Sequence, residues 1–131
     1  MNQPYPKPTF SQKKQPRPGA TPRVAFIQSC WHKAIVDQCR HAFVTKIAAL
    51  GFSKKDIDFY EVPGGFEIPL HVQLLAKSGR YAAIVASGLI VDGGIYRHEF
   101  VAEAVIGLLM RLQLEHEIPI ISAVLMISLP S

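Results

Sequence analysis

Residues 57–86, IDFYEVPGGFEIPLHVQLLAKSGRYAAIVA, contain two short apolar stretches with a helical pattern between them. Residues 57–62 predict a strand that ends at the turn Pro63-Gly64-Gly65, and residues 81–86 predict another strand. The apolar residues between them recur at helical spacing and predict a helix that stops at Gly79: Ile68, Val72, Leu75 and Ala76. Strands without polar alternation, joined by a helix, are typical of a parallel sheet that is covered on both faces.

The same alternation continues on both sides of this unit. Residues 23–28 predict a first strand, followed by a helix closed by Gly51 with its apolar stripe at Ile35, Cys39, Phe43, Ile47 and Leu50. A glycine-bearing loop is predicted at residues 88–94, and a fourth strand at residues 120–127. A long helix between them is predicted to bury the stripe Phe100, Ala104, Leu108 and Leu112. We therefore expect an α/β fold arranged as a three-layer α/β/α sandwich.

The chain has 131 residues, which suits one domain with a preceding arm. Residues 1–22 hold six of the ten prolines and predict a disordered basic arm, so the domain is expected to span residues 23–131. Five of the fourteen positive charges lie within residues 1–23, ahead of the first acid, Asp37, which leaves nine positive against ten negative charges in the rest. Because the globular part is nearly neutral, a nucleic-acid partner is not expected, although contact through the arm remains an alternative.

The two cysteines, Cys30 and Cys39, fit neither a CxxC pair nor a disulfide framework and are expected to be buried thiols of a reducing compartment. No apolar run is long enough for a membrane span, and the start of the chain lacks the apolar core of a secretion signal. We therefore expect a cytoplasmic protein without a membrane partner.

Ligands of parallel sheets bind beyond the carboxyl ends of the strands, which here are residues 29–32, 63–67 and 88–98. Trp31 offers an aromatic plane for stacking on a heteroaromatic ligand, or alternatively packs on the sheet edge. Glu67 can accept from ring N–H donors, or alternatively complements the dipole of the helix it precedes. Gly88 and Gly93 have the spacing of a phosphate loop, but its Lys and Ser/Thr are absent, which excludes a nucleoside triphosphatase.

Arg97 and His98 lie where the third helix is expected to begin, beside a glycine-rich turn whose free amides can bind an anion. A fixed cation and a titrating imidazole suit proton transfer near an anion, whereas a plain turn with a surface histidine is the alternative. None of the five histidines stands four residues from another histidine or a cysteine, so no metal is expected.

Three stretches together resemble the lumazine synthase family: Phe26-Ile27 with Trp31, residues 62–70 (VPGGFEIPL) and residues 88–101 (GLIVDGGIYRHEFV). The second is the most distinctive, and the third looks like the type II enzymes of some alphaproteobacteria. The resemblance runs from Arg23 to Leu125 and implies a flavodoxin-like four-stranded parallel sheet. It also implies a role in riboflavin biosynthesis, the condensation of 5-amino-6-(D-ribitylamino)uracil with 3,4-dihydroxy-2-butanone 4-phosphate, with release of phosphate and water.

The same resemblance implies that no cofactor is needed and that the partners are the two small-molecule substrates and further copies of the chain. The assembly would be a homopentamer or a dimer of pentamers, with each site shared between neighbouring subunits. A lumazine-binding or flavin-binding protein without turnover, and an inactive fragment, are the alternatives.

The resemblance assigns roles at individual positions. Trp31 would stack on the pyrimidine, Gly65, Phe66 and Glu67 would line the ribityl and pyrimidine site, and Leu89, Ile90 and Val91 would hold the ring through backbone contacts. Gly94 and Ile95 fall at the phosphate-facing turn. Ser122 occupies the place of an aromatic residue or a serine contributed across a subunit interface.

This sequence departs from the family pattern at two places. The usual catalytic histidine falls on Arg97, with His98 one place later, so the catalytic role lies with either residue. After Leu125 the family continues with a loop and two helices that include the cation for the substrate phosphate, whereas residues 126–131 stand here instead. We therefore expect missing C-terminal helices, an uncovered last strand and a frameshift origin for this end.

Overall fold

The computed structural model describes residues 22–92 and 98–128, with side chains described for residues 22–90 and 100–125. Short 3₁₀ turns at Lys54–Asp56 and Gly65–Glu67 precede β2 and α2. The described elements are, in chain order, β1 (Val24–Ser29), α1 (Lys33–Ala49), β2 (Ile57–Val62), α2 (Ile68–Lys77), β3 (Ala83–Asp92), α3 (His98–His116) and β4 (Ile120–Ser128).

The four strands form one sheet in the order β2-β1-β3-β4, and every neighbouring pair is parallel. This is the strand order of the flavodoxin-like fold, so the predicted α/β architecture is confirmed. The predicted ends of two helices are confirmed as well. Gly51 and Gly79 follow α1 and α2 with φ angles of 96° and 70°, a left-handed conformation that glycine adopts without steric cost.

Helices cover the sheet on both faces. On one face α2 and α3 bury the larger apolar cluster, which includes Ile27, Val72, Ile84, Val105 and Leu109. On the other face α1 packs Phe43 and Ile47 against a smaller cluster, and the ring centroids of Phe26 and Phe43 lie 5.1 Å apart. Burial of a Val, Leu, Ile or Phe side chain contributes about 1.5–3 kcal/mol, so these two clusters supply most of the favourable free energy of folding.

One face of the edge strand β4 is exposed. Ile121 pairs with Val85, which belongs to the smaller cluster under α1, and side chains of paired residues in a parallel sheet share a face. Ile121 and Leu125 are nevertheless exposed on this face, whereas Ile120 and Val124 are buried on the other.

Two sequence predictions about this region are wrong. Residues 88–92 were predicted to be a loop but continue β3, because β4 pairs with them without interruption as far as Asp92 opposite Ser128. The buried stripe of α3 is Ala102, Val105, Leu109 and Leu112, whereas Phe100, Ala104 and Leu108 are exposed. Apolar residues surround this helix, so their spacing alone did not identify the buried side.

Asp58 lies at the amino-terminal edge of the sheet, within a polar cluster. It accepts hydrogen bonds from the Arg23 guanidinium and, at 2.7 Å, from the Tyr81 hydroxyl, which also bonds to the Tyr60 hydroxyl. The bond from Arg23 lowers the pKa of Asp58. Burial, followed by the bonds to Tyr60 and Asp58, raises the pKa of Tyr81. This cluster fixes the start of the sheet, at the edge opposite the carboxyl ends of the strands.

Candidate functional site

The turn that follows β1 carries an exposed tryptophan. Trp31 is 67% exposed, and it lies between Cys30 and His32 at the point where the chain leaves the sheet for α1. The Cys30 N–H donates to Val62 O at 2.9 Å, so the start of the turn is tied to the end of β2. His32 adopts a left-handed conformation with φ 55°, which is uncommon for a residue with a β-carbon.

The turn that follows β2 is held by its own glutamate. The Gly64 N–H donates to Glu67 Oε2 at 2.9 Å, and Glu67 ends the 3₁₀ turn that leads into α2. Between these two residues, Phe66 is 73% exposed. An ionised carboxylate has about four acceptor positions, so Glu67 retains acceptor capacity beyond its bond to Gly64.

β3 extends beyond the end of β1. The pairing of β1 with β3 ends at Gln28 opposite Ser87, but β3 continues beside β4 to Asp92. The Ile84 N–H donates to Pro119 O, on the β4 side. Because the N–H direction alternates along an evenly paired strand, the main-chain groups of Leu89 and Val91 point to the other side, beyond the end of β1.

Close approaches join these strand ends. A β-carbon placed at Gly64 would lie 3.5 Å from Trp31 Nε1, so the indole rests against the turn after β2. A β-carbon placed at Gly65 would lie 3.5 Å from Ile90 Cγ1, so the same turn also rests against β3. The structure therefore brings together Trp31, the Gly65–Glu67 turn and the extended part of β3.

Two buried residues lie beneath this region. Ser29 is fully buried, and its Oγ has no hydrogen-bond partner among the described residues. A β-carbon at Gly88 would lie 2.8 Å from that oxygen and 3.2 Å from Ile68 Cδ1. Position 88 thus has no room for a side chain.

A charged cluster beside Trp31 was not singled out from the sequence. Lys33 Nζ donates to Glu61 Oε1 at 2.7 Å and to Asp37 Oδ1 at 3.4 Å, and the Cys30 thiol donates to Glu61 Oε2 at 3.7 Å. Gln28 Nε2 donates to Asp37 Oδ1 at 2.8 Å. The signal that identifies the Lys33–Glu61 pair is the parallel pairing of β1 with β2, which sets Gln28 opposite Glu61.

These contacts shift the ionisation of the cluster. The bond from Lys33 lowers the pKa of Glu61, and the bond from Gln28 lowers the pKa of Asp37. Burial, followed by the Glu61 charge, raises the pKa of the Cys30 thiol. Cys30 and Cys39 are free thiols as expected, but they are only half-buried.

The other predicted site residues lie elsewhere or outside the described residues. Ser122 is exposed on β4 opposite Ala86, three residues and about 10 Å before the level of Leu89. Gly94, Ile95 and Arg97 fall outside the described residues, as does the predicted arm apart from Pro22. His98 is the first residue of α3, but its side chain is not described.

Among the described residues, no group of three or more His, Cys, Asp or Glu side chains is arranged to hold a metal ion. Within the same ranges, no helix combines the length and the apolar character that crossing a membrane requires.

Comparison with known proteins identifies the family. The sequence model described as 6,7-dimethyl-8-ribityllumazine synthase matches residues 21–128. The chain belongs to the 6,7-dimethyl-8-ribityllumazine synthase family. The resemblance inferred from the sequence motifs is therefore confirmed at the level of the family.

Three lumazine synthase relatives show the extent of the similarity. The 6,7-dimethyl-8-ribityllumazine synthase 2 of Pseudomonas syringae pv. tomato is 62% identical over 103 residues, which cover 79% of this chain and 61% of the relative. The 6,7-dimethyl-8-ribityllumazine synthase of Rhodococcus erythropolis is 61% identical over 103 residues, covering 79% and 66%. The synthase 2 of Bradyrhizobium diazoefficiens is 55% identical over 112 residues, covering 86% and 67%. The chain thus spans about three-fifths to two-thirds of the length of these relatives.

Proposed function

We propose that this chain acts in riboflavin biosynthesis as a 6,7-dimethyl-8-ribityllumazine synthase. It would condense 5-amino-6-(D-ribitylamino)uracil with 3,4-dihydroxy-2-butanone 4-phosphate and release phosphate. Membership of the family supports the reaction. The extension of β3 past β1 is the structural observation that carries the pyrimidine half of the site, because it directs main-chain groups toward Trp31 and the Gly65–Glu67 turn.

The pyrimidine would be held by three kinds of contact. Trp31 offers an exposed indole face for stacking, and the main-chain groups of Leu89 and Val91 can pair with the ring edge. Glu67 can accept hydrogen bonds from ring N–H or ribityl hydroxyl groups. Phe66 and Gly65 would line the same space, with Ile90 beneath Gly65.

Catalysis would depend mainly on positioning the two substrates for imine formation and ring closure. Gly94 and Ile95 would face the substrate phosphate. Arg97 would orient and stabilise negative charge, because arginine does not release its proton at neutral pH. His98 would be the residue able to transfer a proton.

We further propose a cytoplasmic homo-oligomer, either a pentamer or two pentamers, with Ser122 contributed across the subunit interface. The family resemblance supports the assembly, and two free thiols support a reducing compartment. Sedimentation velocity of the purified chain distinguishes a pentamer, a decamer and a monomer by mass.

A second candidate function is binding of a lumazine or flavin without turnover. Between about one-third and two-fifths of the length of each relative lies outside the match. The pyrimidine contacts named above all lie within the matched part, so binding does not require the remainder.

The deciding experiment measures lumazine formation by absorbance and fluorescence with both substrates at saturating concentration. Product above the uncatalysed rate supports the synthase, whereas pyrimidine binding without product supports the binding protein.

Trp31→Ala tests the stacking contact, and Phe52→Ala is the matched control because Phe52 is also an exposed aromatic residue. Stacking of a base on an aromatic side chain is worth about 1–3 kcal/mol, so Trp31→Ala should weaken pyrimidine binding about five- to 150-fold. Equal affinity of the two variants would exclude the proposed stacking.

A further inference from the structure

The turn that carries Trp31 is closed at both ends by one carboxylate. Cys30 immediately precedes Trp31, and its thiol donates to Glu61 Oε2 at 3.7 Å. Lys33 is the first residue of α1, two residues after Trp31, and its ammonium group donates to Glu61 Oε1 at 2.7 Å. The two oxygens of Glu61 therefore hold the residues on either side of the Trp31-His32 pair.

From this geometry we propose that Glu61 is a positioning residue, which holds the Cys30–Lys33 turn closed and thereby fixes the Trp31 indole against Gly64. The effect of Glu61 on pyrimidine binding rests on the proposed function. The effect of Glu61 on the position of the indole is independent of that function.

The local backbone explains why the turn needs such a contact. His32 precedes α1 in the left-handed conformation, with φ 55°, and its side chain makes no capping hydrogen bond to the helix. A residue with a β-carbon in this conformation is strained and persists only where its surroundings hold it. The main-chain bond from Cys30 to Val62 fixes only the first residue of the turn, whereas the Lys33–Glu61 bond fixes the last one.

The ionisation of the cluster is compatible with this role. The bond from Lys33 lowers the pKa of Glu61, which keeps Glu61 an acceptor at neutral pH. Burial and the Glu61 charge raise the pKa of the Cys30 thiol, which keeps Cys30 a donor. Asp37 accepts from Lys33 as well, but it lies on α1 four residues away and does not link the turn to β2.

Trp31 is the single tryptophan of the chain, so its fluorescence reports directly on the turn. We would measure time-resolved fluorescence anisotropy and acrylamide quenching of the ligand-free full chain and of Glu61→Gln. The matched control is Glu115→Gln, because Glu115 pairs with Arg111 at 2.8 Å and its side chain is exposed to a similar degree, 47% against 43%. Both substitutions remove one charge from an exposed ion pair.

An exposed ion pair shifts an equilibrium about two- to fivefold. Glu61→Gln should therefore increase the amplitude of the fast nanosecond component of the indole anisotropy decay about two- to fivefold and make quenching easier. Lys33→Gln should do the same, and Lys33→Arg, which keeps the positive charge beside Glu61 and Asp37, should retain the slow decay. Glu115→Gln should match the wild type. The inference is overturned if Glu61→Gln and Lys33→Gln both leave the decay unchanged, or if Glu115→Gln changes it equally.

Enzyme kinetics test separately whether Glu61 affects binding of the pyrimidine. If the wild-type chain catalyses the reaction, Glu61→Gln should raise the KM for the pyrimidine about two- to fivefold. It should leave kcat unchanged, as expected for a group that only positions Trp31. A lower kcat at unchanged KM would contradict the positioning role. If the wild type neither binds nor converts the pyrimidine, the proposed function fails, while the anisotropy comparison still decides whether Glu61 holds the turn.

Discussion

Gly88→Ala tests how closely β3 is packed beneath the candidate site. The new methyl group would meet Ser29 Oγ at 2.8 Å and Ile68 Cδ1 at 3.2 Å, and both residues are fully buried. Real β-carbons essentially never approach other atoms within 3.0 Å, so the buried Ser29 side chain or the elements around it must shift. Overpacking of this kind costs about 1–3 kcal/mol, and we expect Gly88→Ala to lower the free energy of unfolding by that amount.

The Ser29 oxygen is the nearest obstacle, so removing it should reduce the cost. Ser29→Ala alone should be close to neutral or stabilising, because this buried oxygen has no hydrogen-bond partner among the described residues. In the Ser29→Ala background only the contact with Ile68 remains tight, and Gly88→Ala should then cost less than about 1 kcal/mol. The double-mutant cycle measures this coupling directly.

Urea unfolding followed by far-UV circular dichroism, at one fixed protein concentration, supplies the free energies. Gly107→Ala is the matched control, because Gly107 lies within α3 with open space around its α-carbon. Alanine is the better helix former, so that change should stabilise the protein by about 0.5–1 kcal/mol. The packing argument is refuted if Gly88→Ala, like Gly107→Ala, does not lower the free energy of unfolding, or if its cost is the same with and without the Ser29 oxygen.

Three further predictions concern charge and backbone conformation. Asp58 has a lowered pKa in the folded state, so its stabilisation is present above the ordinary pKa of about 3.9 and is lost as the pH falls through the lowered value. Asp58→Asn should therefore unfold more easily than the wild type at pH 7, and the two urea midpoints should converge in acid. The raised pKa of Tyr81 contributes stability that is lost as the pH rises above about 10, so native tyrosinate absorbance should lag behind that of the unfolded chain. Glu117 follows α3 with φ 53°, and Glu117→Gly should raise the free energy of unfolding by about 0.5–1 kcal/mol; an unchanged melting temperature would argue against strain there.

Most of the fold could be predicted because parallel α/β units repeat one pattern of buried strand and covering helix. The sequence pattern predicts only the first part of β3, because Gly88 interrupts an apolar run and indicates a loop. Pairing with β4 keeps residues 88–92 in the strand, and this pairing joins residues more than thirty positions apart. The face of α3 was misjudged for a related reason, because Leu108 and Leu109 are equally apolar and only the packing against the sheet buries the second.

The candidate site could be predicted where it depends on topology, and not where it depends on individual side chains. Trp31 and the Gly65–Glu67 turn follow neighbouring strands, so the rule for parallel sheets brings them together. Lys33 and Glu61 are 28 positions apart and are ordinary surface charges when each is considered alone. Their pairing follows only from the register that sets Gln28 opposite Glu61, which no local sequence pattern specifies.

The extension of β3 also supports the proposed location of the site at this end of the sheet. Main-chain N–H and C=O groups need hydrogen-bond partners, and a strand that continues past its neighbour directs several of them into the space beyond. Here that space is bordered by the exposed indole of Trp31 and the Glu67 carboxylate. A planar ring with N–H and C=O groups on its edge can form hydrogen bonds with these main-chain groups and stack on the indole at the same time. Water can supply the hydrogen bonds but not the stacking, so the arrangement favours a heteroaromatic ligand over solvent.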